Sequence, residues 1–337
     1  MSKKVLIVTN SSDLHADLIV SILVAKGHTP FRLNLDQFPR DYQLCQQFAK
    51  GEAVNMLRSL ADTQWLSLDD IGAIWLRKPA EFAYLSDDLS VQERSFAKQE
   101  TEQALFGVLY SLDCYWISHP LALRGSQWKG EQLVRAVRMG FRVPASIVTN
   151  CPAQVRAFRA ALPGQMIFKA MSSPNLGSEG LDPADRSCDA LPTTIVTAAM
   201  LECLDAVSEV PCHFQEYIAK QYELRVTIIG ERVFAAKIYS QDDQRTAVDS
   251  RNLSAEVRYE ACTLPPEVEQ KCVAFVRTYG LNYGALDLIV TPEGDYVFLE
   301  NNPVGQFLYI EQLIPQFNML DTLATKLIKE AQCRSQT

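Results

Sequence analysis

Two alternating runs near the C-terminal end constrain the fold more than any other part of the chain. They are Gly284-Ala285-Leu286-Asp287-Leu288-Ile289-Val290-Thr291 and Tyr296-Val297-Phe298-Leu299-Glu300-Asn301-Asn302, separated by Pro292-Glu293-Gly294-Asp295. Apolar residues at strand period on both sides of a Glu-Gly turn dipeptide predict a hairpin. A two-residue loop at Glu293-Gly294 sets Thr291 opposite Tyr296 and, counting back along the ladder, Asp287 opposite Glu300. A four-residue loop closing on the same pair leaves that register unchanged. Residues two apart share a face, so Asn302 joins Glu300 and Asp287. Two carboxylates with Cβ atoms about 5 Å apart repel each other unless something compensates. A hard divalent cation does so naturally: Mg²⁺ takes one or two protein carboxylates and completes its shell with water and substrate phosphates. Taken alone, the stretch also fits a solvated hairpin face with unrelated acids.

The chain of 337 residues has room for two or three packed units with a sizeable core. Its net charge of −8 argues against nucleic acid and against an anionic membrane surface as partners. A nucleotide carried as a metal complex is not deterred. Nine cysteines are scattered without C-x-x-C spacing, as expected of reduced, buried thiols in a cytoplasmic protein. The apolar run at residues 5–9 is too short for a signal-peptide core, and no stretch approaches the roughly 20 apolar residues of a membrane span.

The first third reads as strand 5–9, helix 14–26 ending at Gly27, strand 31–35, strand 72–77, a long helix 91–112 and a short strand 115–118. This succession predicts a βαβ-type parallel sheet, without the G-x-G-x-x-G of a dinucleotide site. Arg77 and Lys78 fall at a strand's C-terminal end, where open α/β sheets bind ligands, and are candidates for an anionic substrate group. In the middle, Ser126 is a candidate cap for a helix 127–139 with Lys129 in its first turn. A cation there opposes the helix dipole, so it is either solvated or held for an anion. Strand 142–149, helix 152–162 and strand 165–171 follow. Lys169 interrupts the last of these, and lysine is rarely buried without a partner. Residues 172–192, rich in Ser, Pro, Gly and Asp, read as a long loop of the kind that forms lids, and 194–207 as a helix. Beyond it come strand 212–218, a hairpin 223–229/232–241 with Glu223 and Arg225 on one face, a polar loop 242–252, helix 265–279 and a C-terminal helix to 331 broken near Pro315.

In order along the chain, Lys129, Val143-Pro144, Lys169, Gln215-Glu216-Tyr217-Ile218, Glu223-Leu224-Arg225, Asp287 and Glu300-x-Asn302-Pro303 resemble the motifs of ATP-grasp ligases. The resemblance spans about 119–330, and the first 118 residues are similar to the pre-ATP-grasp α/β domain. A narrower likeness is to the microviridin-type peptide maturases, the graspetide synthetases. It rests on Ile74-Trp75-Leu76-Arg77-Lys78-Pro79, Ile238-Tyr239-Ser240-Gln241, Asp249-x-Arg251 and Asn302-Pro303-x-Gly305-Gln306-Phe307. Departures are Trp128 where Asn is usual, Ser250 for an aromatic, and Asn301 for an aliphatic, which should face away from the metal. The lid carries only Gly177 and Gly180.

This resemblance implies an α/β fold, α+β in its C-terminal half. A parallel-sheet pre-ATP-grasp domain (1–118) precedes a two-lobed ATP-grasp fold (119–210 with the lid; 211–337 with the metal site). It implies a ligase that uses ATP and Mg²⁺ to activate Asp or Glu side chains of a ribosomal precursor peptide with a leader segment, joining them to amines or hydroxyls. Lys129 and Lys169 would hold phosphates, while Glu216, Tyr217 and Ile218 would read adenine and Glu223 the ribose. Asp287, Glu300 and Asn302 would bind the metal, and Arg225 and Arg251 would stabilise the γ-phosphate or acyl phosphate. The family's members act commonly as homodimers. A ligase adding an amino acid to a protein or small peptide, and a non-catalytic ATP-binding module, are the alternatives.

Overall fold

The computed structural model describes residues 3–78, 80–172, 191–250 and 255–333. The first unit begins with β1 (Lys4–Thr9), α1 (Leu14–Ala25) and β2 (Phe31–Asn34). The near-continuous apolar run of β1 leaves only Lys4 exposed, as a strand covered on both faces requires. Next come β3 (Tyr42–Ala49), β4 (Glu52–Ser59) and β5 (Leu66–Ser67), an antiparallel sheet that the sequence reading passed over. Its strands are mostly exposed and polar, so they lack a clean alternation. Their signal was the Lys50-Gly51 turn, where both residues have positive φ, as the commonest two-residue hairpin loop demands. β6 (Ile71–Leu76), α2 (Val91–Ser111) and β7 (Tyr115–Ile117) complete a parallel sheet of order β2-β1-β6-β7.

The middle of the chain gives α3 (Pro120–Gly125), α4 (Lys129–Arg138), β8 (Ser146–Thr149), α5 (Pro152–Ala161), β9 (Met166–Lys169), β10 (Thr194–Ile195) and α6 (Ala198–Glu202). Two expectations fail here. Ser126 closes α3, and Trp128 takes the N-cap of α4 without a side-chain bond. The helix expected over 194–207 starts instead as β10, paired with β9, because Thr193-Thr194-Ile195-Val196-Thr197 is a β-branched run; α6 begins only after Thr197 caps it. With β11 (Cys212–Glu216) these strands form an antiparallel sheet, β10-β9-β11-β8. Phe168 and Phe214 on one face pack with Val155, Leu204 and Val207. Lys169, paired with His213, occupies the opposite face by alternation.

The last unit is a five-stranded antiparallel sheet with β12 (Tyr222–Ile229), β13 (Arg232–Ile238), β14 (Tyr259–Cys262), β15 (Tyr283–Val290) and β16 (Tyr296–Asn302), ordered β14-β13-β12-β15-β16. Helix α7 (Pro266–Thr278) precedes β15 and packs Phe275 and Val276 into the core. Helices α8 (Leu308–Leu313) and α9 (Met319–Cys333) end the chain, with the expected break at Pro315. α9 does not stay with this sheet alone. Leu323, Leu327 and Ala331 share one core with Val5, Ile7, Leu23 and Ala73. Gly72 of β6 makes that possible, since a Cβ there would stand 2.8 Å from the Ala331 backbone.

Candidate active site

The hairpin β15–β16 forms, but not by simple alternation. Val290, not Thr291, pairs with Tyr296, and the ladder runs Ile289↔Val297 and Leu288↔Phe298 before shifting between Leu288 and Asp287. This bulge adds Leu299 to β16 and restores Asp287 opposite Glu300, as expected. It also resolves a conflict of parity. Strict alternation would put Phe298 and Glu300 on one face, yet Phe298 is in the core while Glu300 stands half-buried in the site. Leu299 packs with Ile218, Ile289 and Val297, an apolar patch beside the carboxylates.

Across the sheet, Arg225 of β12 is the partner of Asp287, which in turn faces Glu300. The Arg225 Nη1 donates to Asp287 at 3.0 Å, and Asn302 Nδ2 lies 3.3 Å from the same carboxylate. On the far side, Lys129 Nζ is 3.1 Å from Glu300 and donates to the Ala170 carbonyl at 3.0 Å. The cation at the start of α4 is thus paired with a carboxylate of the protein itself. A row of cation, two carboxylates and cation results. Burial drives the Asp287 carboxyl above its usual range against the pull of Arg225. Burial opposes charge on Glu300 as well, but Lys129 and Lys169 outweigh it and hold the carboxyl low. Lys169 itself is pushed down by burial and by Lys129 and Lys220, with Glu300 resisting.

Sequence did not single out two other residues here. Gln132, one turn along α4 from Lys129, accepts from the Asn301 amide at 2.7 Å and donates to its carbonyl at 2.9 Å. Lys129 and Gln132 therefore fix consecutive positions of β16, and Asn301 turns away from Asp287, buried against the Gly284 side. The signal was a glutamine three residues after the lysine, on the same helix face. Tyr309 stands beside the Arg225 guanidinium. Together with Ser12, Lys78, Gln306 and Gln312 it lines a cleft of about 260 Å³.

The remaining candidates separate. Glu223 is fixed by Lys220, by Ser240 Oγ at 2.7 Å and by Ser250 Oγ at 3.0 Å. Tyr217 spends its amide on the Gln165 carbonyl, and the Glu216 carboxylate accepts from the Ala145 amide at 3.3 Å, so neither of those groups faces the cleft unengaged. Ile218 buries its side chain in the patch with Leu299. Arg77 is 3 % exposed and donates to the Val304 carbonyl, which turns it from a surface substrate contact into a buried anchor; Lys78 borders the cleft. Arg251, Gly177 and Gly180 lie outside the described residues.

Among the described residues no three His, Cys, Asp or Glu side chains converge on one point. Asp287 and Glu300 do face each other across the ladder with the Asn302 amide on Asp287, which is the sparse donor set of Mg²⁺ bound together with water and phosphate. Both carboxylates already need cations beside them, so the residues fit that ion.

Residues 4–124 match the family model of the MvdD pre-ATP grasp domain. No curated protein matches the chain. Solved structures match along its whole length. The RiPP-associated ATP-grasp ligase of Chryseobacterium gregarium, in complex with ADP and a leader and core peptide, is 28% identical, with 97% of each chain covered and a TM-score of 0.87. The macrocyclase MdnC of Microcystis aeruginosa MRC, bound with precursor peptide MdnA, is 28% identical over 97% of this chain and 99% of its own, at a TM-score of 0.83. MdnB, a macrocyclase of the same organism, is 30% identical over 96% of this chain and 99% of its own, at 0.77. With this row of charges and a pre-ATP-grasp sheet before it, this chain belongs to the ATP-grasp peptide maturases, the graspetide synthetase family.

Proposed function

We propose that the protein is an ATP-dependent ligase that forms intramolecular amide or ester links in a ribosomal precursor peptide. The row Arg225, Asp287, Glu300, Lys129 carries this reading. It concentrates paired charges on a rigid sheet, where positioning and charge neutralisation dominate phosphoryl transfer. A peptide carboxylate attacks the γ-phosphorus of ATP, ADP departs, and an acyl phosphate remains. An amine or hydroxyl of the same peptide then attacks the acyl carbon, the C–O bond to phosphate breaks, and the nucleophile gives up its proton. Lys129 and Lys169 orient the phosphates, and the patch of Ile218, Ile289, Val297 and Leu299 receives adenine, with the Ile218 backbone reading its edge. Glu223, already oriented by three donors, accepts from the ribose hydroxyls.

Asp287, Glu300 and a half-turned Asn302 amide would hold Mg²⁺, which when bound offsets charge on the transferring phosphoryl group. Arg225 stabilises the acyl phosphate with its planar fork. The cleft at Lys78 and Tyr309 admits the peptide, Lys78 facing its acidic side chains. The setting we infer is cytoplasmic, with the enzyme a homodimer. Co-expression with a neighbouring acidic peptide gene, followed by mass spectrometry, tests the reaction. Loss of one water per link is expected, whereas a mass gain equal to a free amino acid would support a residue-adding ligase instead.

A further inference from the structure

Two motifs of the sequence have no part in the row of charges: Arg77 at the end of β6, and the segment 303–308 that follows Asn302. In the structure they are one contact. Arg77 Nη1 donates to the Val304 carbonyl at 2.8 Å. Its Nε lies 3.7 Å from Asp13 Oδ2, and Asp13 also accepts from Thr9 Oγ1 at 2.7 Å and caps α1 through the His15 amide at 3.2 Å. His15 Nε2 accepts the Leu308 amide at 3.2 Å, and its ring stands edge-on to Phe307, 5.0 Å between centroids. From the other side, the Tyr283 hydroxyl donates to the Gly305 carbonyl at 2.6 Å. Gly305 is packed so closely that a Cβ would meet Ala285 at 2.8 Å and Asn302 at 3.2 Å.

Both ends of this held segment return to one carboxylate. Asn302 reaches Asp287 directly, while Tyr309 stands beside the Arg225 that holds it. We propose that Asp13, His15 and Arg77 are positioning residues of the first unit, clamping residues 303–308 so that Asn302 arrives at Asp287 in fixed geometry; this rests on the nucleotide-and-metal reading above.

Burying a guanidinium and a carboxylate is costly, and well-packed apolar residues often serve stability as well or better. Here the guanidinium does what an apolar side chain does not: it grips a backbone carbonyl of the segment that joins β16 to α8. Burial, with Arg77 and Lys78 adding to it and Asp13 opposing, lowers His15 to about 4. The ring is therefore neutral near pH 7 and keeps an acceptor for Leu308.

Four variants test the clamp: His15→Phe, which keeps the ring contact but not the acceptor, His15→Gln, which restores an acceptor, Arg77→Met and Arg77→Lys. Circular dichroism reports the fold, calorimetric titration with MgADP reports the site, and amide exchange reports residues 303–309. His15→Phe and Arg77→Met should weaken MgADP binding by about tenfold, the loss expected when an outer-shell partner is removed. Raising Mg²⁺ should recover it, with faster exchange confined to 303–309. His15→Gln should lie close to the parent and Arg77→Lys between. Should Arg77→Met fail to fold, His15→Phe alone decides. Unchanged MgADP affinity and Mg²⁺ dependence in folded His15→Phe would overturn the proposal. Absence of MgADP binding by the parent protein would instead overturn the functional reading beneath it.

Discussion

Asp287 is the residue on which the site's electrostatics converge. Arg225 holds it at 3.0 Å, Glu300 faces it from β16, and Asn302 touches it from two residues beyond Glu300. An arrangement of this kind stores cation affinity rather than stability, because each carboxylate is already partly desolvated when a metal arrives. Asp287→Asn keeps an acceptor for Arg225, so its circular dichroism should match the parent, while ADP production falls at least about a hundredfold. Parent-like turnover in that variant would count against the metal assignment. The charged members were legible because Lys169, Asp287 and Glu300 interrupt apolar periodicity and Lys129 opposes the dipole of its helix. Tyr309 was not, because its link to Arg225 depends on the path of 303–308, which no local pattern encodes. Arg77 looked like a ligand contact for the same reason: its strand-end position was readable, its backbone partner 227 residues away was not.

At the level of elements, the bulge in β16 explains why the expected pairing of Asp287 with Glu300 holds although the turn-proximal register differs. Residues 296, 298, 300 and 302 mix core and site chemistry in one parity class, and that mixture is the trace the bulge leaves in sequence. Deleting Leu299 should give a regular ladder with Asp287 still opposite Glu300 and Phe298 still inward. The variant is then expected to keep its Mg²⁺ dependence and to lose nucleotide affinity, since only the apolar patch has shrunk. Steady-state KM for ATP together with a Mg²⁺ titration distinguishes this from a collapsed hairpin, in which both would fail. The strands β3 to β5 and the short β10 escaped because neither buries a continuous apolar face.

Across the whole molecule, two buried histidines set the response to acid. His15, 6 % exposed, and His213, 4 % exposed, are each lowered to about 4, chiefly by burial. The unfolded chain takes up these protons near pH 6.5 and the folded chain only near pH 4. Stability is therefore complete above pH 6.5 and falls through that window, by on the order of 3 kcal/mol per histidine. Urea unfolding at pH 7 and pH 4.5 should show the drop, and His15→Gln should make it shallower. The parallel sheet and the antiparallel sheets were foreseeable from strand spacing, but the attachment of α9 to the first sheet was not, because amphipathic period says which face is buried and not against what.

That attachment has a consequence for synthesis. The face of β1 and β6 that receives Leu327 and Ala331 is covered only in part, by Ala16, Ile19 and Leu23 of α1, while the intervening two hundred and more residues are made. Domains usually fold in the order they leave the ribosome, yet this first sheet cannot finish its core until α9 has emerged. The nascent chain therefore carries part of this apolar β-surface exposed until its last helix emerges, and release of truncated chains lacking α9 should leave the first sheet prone to aggregation.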